Sequence, residues 1–280
     1  MTWEDYFNYG GLKGCYYYKD KEVVALPSDL SMPPTDDFSD LFRGCKQLED
    51  ISALTNWDVS KVMNMSRMFS GCKCLKDIST LASWNVYKVM DMNNMFSSCE
   101  KLQDISALSN WTVYKVMNMN NMFIGCKQLQ NISALANWDV SNVRLMSGMF
   151  LDCKQLEDIT ALSEWNVSNV MDMNCMFSGC EKLQDITALA NWDVYNVKNT
   201  SSMFDRCNLL PQILRDNATY MYTYISKYKY DTYQKATEQQ IDAFQKRIAE
   251  LESYFVWLEN NLARLSMRVD LLISRSVDDD

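Results

Sequence analysis

Cysteine and aspartate are the residue types in this sequence whose number and spacing could support chemistry. The chain has ten cysteines among 280 residues, and it has no histidine. Clustered thiols can bind zinc or form disulfides, and converging carboxylates can bind calcium or act as an acid–base pair. The absence of histidine excludes Ser-His-Asp and Cys-His nucleophiles and removes the most common metal ligand.

The cysteine spacing argues against zinc and disulfides. Cys72 and Cys74 form a lone C-x-C, and Cys15, Cys74 and Cys175 lie outside the regular series. Zinc sites require clustered ligands, whereas the regular series has one cysteine per interval. We therefore predict buried thiols, with stacked disulfides or a metal as the alternatives. Seven cysteines recur every 27 residues: Cys45, Cys72, Cys99, Cys126, Cys153, Cys180 and Cys207.

An acidic series has the same interval. We predict that these side chains accept backbone hydrogen bonds in turns, with calcium binding as the alternative. No constellation of residues distinguishes one unit as catalytic, so we expect neither enzyme activity nor a cofactor. The series is Asp50, Asp77, Asp104, Asn131, Asp158 and Asp185.

The regular cysteine series and the acidic series both belong to a repeating unit of 27 residues. Tryptophan recurs with the same interval from Trp57 to Trp192, and a phenylalanine lies three residues before each cysteine of the series. Each unit carries about nine apolar positions, which a single unit cannot bury on itself, so units must stack in a solenoid.

The pattern within one unit predicts its local structure. Met92, Met95, Phe96 and Cys99 have helical spacing, so we predict a short helix there. We predict a short strand between Leu102 and Leu108 and a second one over 113–119. The resulting fold class is a mixed α/β repeat solenoid, one short helix and one or two short strands per unit, whose parallel strands would stack about 4.8 Å apart.

The unit resembles a known repeat. The segment NWDVSKVMNMSRMFSGC at Asn56–Cys72 recurs three times with small changes. It is similar to the BspA-type leucine-rich repeat of bacterial and mycoplasma surface proteins, over about residues 40–210. The resemblance implies a leucine-rich-repeat-like solenoid and a non-enzymatic binding or adhesion role.

The ends of the chain depart from the repeat. We predict an N-terminal cap at 1–40, the solenoid at 41–210, a tyrosine-rich collar or linker at 211–236, a coiled-coil helix at 237–275 and an acidic tail at 276–280. The collar has six tyrosines between Tyr220 and Tyr233, which either cap the solenoid or form an aromatic binding surface.

The predicted coiled coil follows an unbroken heptad pattern. Isoleucine at a and leucine at d favour a homodimer, while the phenylalanines make a homotrimer equally compatible. The alternative is a single amphipathic helix lying along the solenoid. The oligomerisation residues are Ile241, Phe244, Ile248, Leu251, Phe255, Leu258, Leu262, Leu265, Val269 and Leu272.

A candidate ligand surface comes from residues that lie between core positions. Tyrosine and methionine are favoured in interfaces, so these outward rows predict a contact surface; a solvated face without a partner is the alternative. The candidates are Tyr87, Tyr114, Tyr195, Lys61, Lys88, Lys115, Met90 and Met117.

These features together predict a binding protein. The formal net charge of −9 argues against nucleic acid, and no apolar run is long enough for membrane insertion. The first eleven residues do not resemble a signal peptide, so we expect a virion-associated or cytoplasmic location. We predict adhesion to a host surface through a protein or glycan ligand, as in a fibre or spike of a virus or phage particle. The alternative is an intracellular or intra-virion scaffold that uses the solenoid for protein–protein interaction.

Overall fold

The computed structural model describes residues 17–18, 21–217, 221, 238–251 and 253. The chain forms two compact units, Met1–Ser226 and Lys227–Asp280. The part of the predicted N-terminal cap before Tyr17, which includes Cys15, lies outside the described residues, as do the six collar tyrosines and the acidic tail.

The first unit is an array of coils with little regular secondary structure. Strands β1 (Tyr17–Tyr18) and β2 (Lys21–Glu22) pair antiparallel before the array. Helix α1 (Gln212–Asp216) follows the last coil and buries Leu214 completely. Each of the six coils between contains one short 3-10 helix: η1 (Ser52–Leu54), η2 (Ser79–Ser83), η3 (Ser106–Leu108), η4 (Ser133–Leu135), η5 (Thr160–Leu162) and η6 (Thr187–Asn191).

Stacking of equivalent side chains forms the core. Phenylalanine rings from Phe42 to Phe204 form a continuous stack, with centroids of neighbouring rings 5.5–5.8 Å apart. Tryptophan side chains are buried beside them, and each indole N–H donates to a leucine carbonyl of the preceding coil, as from Trp111 to Leu81 at 3.0 Å. The repeated apolar positions are buried, except for the half-buried Val194 and Val197 of the last unit, and this burial confirms that the units form a repeat solenoid.

Backbone hydrogen bonds join neighbouring coils. Met65, Arg67, Phe69 and Gly71 each donate an N–H to a carbonyl of the next coil, at 2.7–2.9 Å. Apart from a separate parallel bridge between Ala25 and Asp50, the parallel pairing in the described residues is limited to one residue per coil. These isolated bridges run through Asp37, Asn64, Asp91, Asn118, Leu145, Asp172 and Asn199.

Two predictions of local structure are wrong. Residues 92–99 form consecutive turns rather than a helix, because Asn94 (φ 55) and Ser98 (φ 58) are left-handed. The predicted strand at 102–108 contains the 3-10 helix η3, because the Asp104 carboxylate accepts the Ser106 N–H at 2.7 Å and closes a turn there. The predicted strand over 113–119 is reduced to the single bridge at Asn118.

The described part of the second unit is helix α2, residues 238–251. Four predicted heptad residues lie on it and are 51–69% exposed: Ile241, Phe244, Ile248 and Leu251. The other six, from Phe255 to Leu272, lie outside the described residues, so the coiled coil stays a prediction.

Candidate binding surface

The acidic series closes turns, as predicted. Asp50 and Asp77 accept the backbone N–H of Ser52 and Ser79 at 2.8 Å, and these bonds lower the pKa of both carboxyls. Asn131 makes the same bond to Ser133 at 2.7 Å, so the amide replaces the carboxylate without loss of the turn. Among the described residues, no group of three or more Cys, Asp or Glu could hold a metal ion.

The cysteine series is buried, which confirms the thiol prediction. The nine described cysteines are free thiols. From Cys72 onward, each Sγ of the series donates to a phenylalanine carbonyl of the preceding coil, as from Cys126 to Phe96 at 3.2 Å. Burial raises the pKa of Cys126 to about 12, so its reactive thiolate is scarce at neutral pH. Cys74 and Cys175 are only partly buried.

Several charged residues also join neighbouring coils. Glu100 binds Lys73 at 2.7 Å and Lys127 at 2.8 Å, and Arg67 holds Asp40 with two bonds of 2.7 and 2.9 Å. These pairs connect equivalent or nearby positions of adjacent units, so their role is to align the coils. Solvent screens the exposed pairs, so their contribution to stability is small.

The candidate ligand residues all lie on the surface. Tyr87 and Tyr114 are each 45% exposed, and Tyr195 is 91% exposed. Met90 and Met117 are 37% and 42% exposed, and Met63 of the same row is 39% exposed. Lys61, Lys88 and Lys115 are exposed as well, and Lys115 Nζ lies 4.6 Å from the centroid of the Tyr87 ring.

The structure brings most of these residues together in one half of the array. We use the name Tyr–Lys–Met face for Tyr87, Tyr114, Lys61, Lys88, Lys115, Met63, Met90 and Met117. Tyr195 is not part of it, because Ser141 and Ser168 occupy the same row between Tyr114 and Tyr195. The binding role of the whole set stays a prediction.

A surface cavity of about 440 Å³ lies along the methionine row. Its lining adds acidic residues that the sequence did not single out, although Asp36 lies 27 residues before Met63 and so begins the same row. The cavity is lined by Asp36, Asp37, Met63, Asn64, Met90, Asp91, Met117 and Asn118.

The second half of the array has a different surface at the same positions. Asn142, Asn169 and Asn196 occupy the lysine row, and each donates its side-chain amide to a carbonyl of the preceding coil at 2.7–2.8 Å. The methionine row continues there as Arg144, Met171 and Lys198. Uniform coils therefore carry two surfaces: asparagines that fasten the coils in one half, and lysines with exposed methionines in the other.

No helix in the described part of the chain combines the length and the apolar character needed to cross a bilayer.

No curated protein matches the chain. Two solved structures are similar. One is the T. pallidum leucine-rich repeat protein TpLRR, with 17% identity and a TM-score of 0.41, covering 75% of this chain and 86% of that chain. The other is a leucine-rich repeat protein from Bacteroides ovatus ATCC 8483, with 16% identity and a TM-score of 0.36, covering 69% of this chain and 49% of that chain.

A family model described as "Mycoplasma protein of unknown function, DUF285" matches residues 36–136 and 128–244. The match supports the resemblance to the BspA-type repeats of mycoplasma surface proteins. Because the matched segments cover more than half of the chain, the protein belongs to the DUF285 family.

Proposed function

We propose that this protein is a non-enzymatic binding protein whose solenoid binds a protein ligand through the Tyr–Lys–Met face. One observation carries the proposal: three methionines and two tyrosines are exposed in a row of adjacent coils. Exposing contiguous apolar side chains is unfavourable in water, and such patches mark interaction sites. The other half of the array has the same core with asparagines that fasten the coils, so the fold itself does not require the exposed residues.

Position-specific crosslinking tests this proposal. A photoreactive benzoylphenylalanine is placed at Tyr87 in the full chain, and a matched variant carries it at Ser168, the equivalent position of the other half. We expect a ligand from the source organism to crosslink from position 87 and not from 168, and Met90→Arg to weaken that crosslink. Equal crosslinking from both positions, or none from position 87, would contradict the proposal.

We also propose that helix α2 and the residues after it join two or three copies of the chain. Its exposed apolar residues, Ile241, Phe244, Ile248 and Leu251, have the a/d spacing of a coiled coil. Several solenoids on one assembly would bind a multivalent target far more tightly than a single solenoid, without any new contact.

The adhesin and the scaffold predicted from the sequence differ in the ligand that they require. Adhesion to a host surface, including display on a virus or phage particle, would allow a glycan ligand, whereas a scaffold inside a cell or particle would bind a protein. A glycan array probed with the full chain and with Met90→Arg separates these alternatives. Glycan binding that Met90→Arg abolishes would replace the protein ligand proposed here.

A further inference from the structure

We infer that the cavity along Met63, Met90 and Met117 receives an amphipathic α-helix of the partner protein, with basic residues on one flank and acidic residues on the other. The inference rests on the proposed function, and it adds the conformation and the charge pattern of the ligand. Four features support it: the spacing of the coils, the charge of the two flanking rows, the charges at the two ends of the row, and the lack of asparagine bonds in this half.

The spacing of the coils fits the pitch of a helix. Equivalent phenylalanine rings of neighbouring coils lie 5.5–5.8 Å apart, and the backbones that are bridged beside the methionine row pair at about 4.8 Å, so equivalent side chains repeat about every 5–6 Å along the array. An α-helix presents side chains on one face about every 5.4 Å. An extended strand presents them about every 6.6 Å, and would lose register with the methionines over three coils.

Rows of opposite charge border the methionines. Lys61, Lys88 and Lys115 precede the methionine row by two positions, and Asp37, Asn64, Asp91 and Asn118 follow it by one. A ligand whose apolar stripe lies over the methionines therefore meets lysines on one side and, on the other, the carboxylates of Asp37 and Asp91, which alternate with two asparagine amides. A helix can carry residues of opposite charge on its two flanks, as this arrangement requires.

The ends of the methionine row define a direction. Asp36 precedes Met63 by one coil and Arg144 follows Met117 by one coil, so these two charges flank the three exposed methionines. A helix has a partial positive charge at its N-terminus and a partial negative charge at its C-terminus. We therefore expect the N-terminus of the bound helix to lie near Asp36 and its C-terminus near Arg144. Three coils correspond to about three helical turns, or about eleven residues.

In the half of the array that carries the lysine row, two backbone carbonyls are available to accept hydrogen bonds from a ligand. In the second half of the array, each asparagine bonds to the carbonyl 28 residues earlier, such as that of Tyr114. Lys88 and Lys115 cannot repeat this bond in the same way, and within the described structure the carbonyls of Ser60 and Tyr87 have no hydrogen bond. The surface therefore has fewer hydrogen bonds between neighbouring coils where the methionines are exposed.

The repeat supplies substitutions that the fold already accepts. Met90→Arg introduces the residue found at position 144 of the same row, and Met171→Arg places it in the other half as a matched control. Asp91→Asn removes a charge and keeps the turn, because Asn64 and Asn118 close the same turn at 2.9 and 3.1 Å. Lys88→Asn introduces the residue found at position 142.

The experiment compares two displayed peptide libraries of equal diversity, one on a fixed α-helical scaffold and one of linear peptides, selected on the full chain. We expect helical binders that lose about tenfold or more affinity with Met90→Arg and retain it with Met171→Arg. Asp91→Asn and Lys88→Asn should each weaken the same binders a few-fold at low salt.

Three outcomes decide the result. Helical binders with this sensitivity and with flanks of opposite charge support the inference. Linear binders with this sensitivity, in the absence of helical ones, overturn the helical ligand and leave the proposed binding face intact. If no binder from either library is sensitive to Met90→Arg, both the inference and the proposed function fail.

Discussion

Leu145 is the one position in its row, from Asp37 to Asn199, that is neither aspartate nor asparagine. In other coils this side chain accepts the N–H two residues later, as Asn118 does from Asn120 at 3.1 Å. Leucine has no acceptor, and the Ser147 N–H instead donates to Asn120 of the preceding coil at 2.7 Å. A lost turn within one coil is thus replaced by a bond between coils.

We expect Asn120→Ala to lower the free energy of unfolding by about 1 kcal/mol, because the partly buried Ser147 N–H would lose its acceptor. In a Leu145→Asn background the asparagine side chain can close the usual turn again, so Asn120→Ala should lower the free energy of unfolding by less. Urea unfolding of the four proteins measures the difference as a double-mutant cycle. Equal costs in both backgrounds would show that the bond between coils does not replace the turn.

The cysteines should differ in reactivity according to their place in the repeat. Burial raises the pKa of Cys126 and Cys207 to about 12 and leaves little thiolate at pH 8, so alkylation of the native chain should spare the series. Cys74 and Cys175, which are only partly buried, should react first. Mass spectrometry after a short iodoacetamide pulse gives the rate at each site, and full modification in urea provides the control. Native labelling of Cys126 as fast as that of Cys74 would contradict this prediction.

At the scale of the element, left-handed residues explain where prediction from the sequence failed. The interval of 27 residues and the buried apolar positions identify the solenoid, because stacked units must bury equivalent side chains together. The spacing of Met92, Met95, Phe96 and Cys99 is also that of a helical face, but each coil has two left-handed residues within this stretch. Glycines at 44, 71, 125 and 179, each directly before a cysteine, were the signal in the sequence for turns instead of a helix.

Gly179 tests the left-handed positions. Its φ is +74°, and an added Cβ would overlap Asp152 Oδ1 and lie 3.3 Å from Asp152 Cα. We expect Gly179→Ala to cost more than the roughly 1–2 kcal/mol of the left-handed conformation alone, because Asp152 must move and its 3.1 Å pair with Arg206 is disturbed.

Gly44→Ala is the matched control for this prediction, since Gly44 has a φ of +80° and no atom within 4 Å of the added Cβ. Asp152→Gly removes the side chain that the new Cβ would contact, so it should reduce the amount by which Gly179→Ala destabilises the fold more than Gly44→Ala does. Thermal unfolding of the single and double variants measures both effects. A Gly179→Ala cost no larger than that of Gly44→Ala would contradict the role of Asp152.

At the scale of the whole molecule, a regular core carries an irregular surface. The rows of Tyr87, Lys88 and Met90 could be predicted as outward-facing because they lie between core positions. Asp91 could not be recognised as part of the same site, since aspartate recurs along the sequence wherever a turn needs an acceptor, whereas Asp36 shares the 27-residue interval of the methionine row. Only the position of the coils shows that these two carboxylates also line the methionine cavity.

Assembly of copies of the chain should depend on the apolar stripe of helix α2. Ile248 is 55% exposed on helix α2 and occupies an a position, so a charge there should break the proposed coiled coil. We expect the full chain to sediment as a dimer or trimer at micromolar concentration, and Ile248→Glu to sediment as the 32.6 kDa monomer. Ala249→Glu introduces the same charged residue one position away, outside the apolar stripe, and should leave the assembly unchanged. A monomeric wild-type chain would refute the proposed coiled coil and would not bear on the binding face. Dissociation by both variants would mean that helix stability, and not the a/d contact, controls assembly.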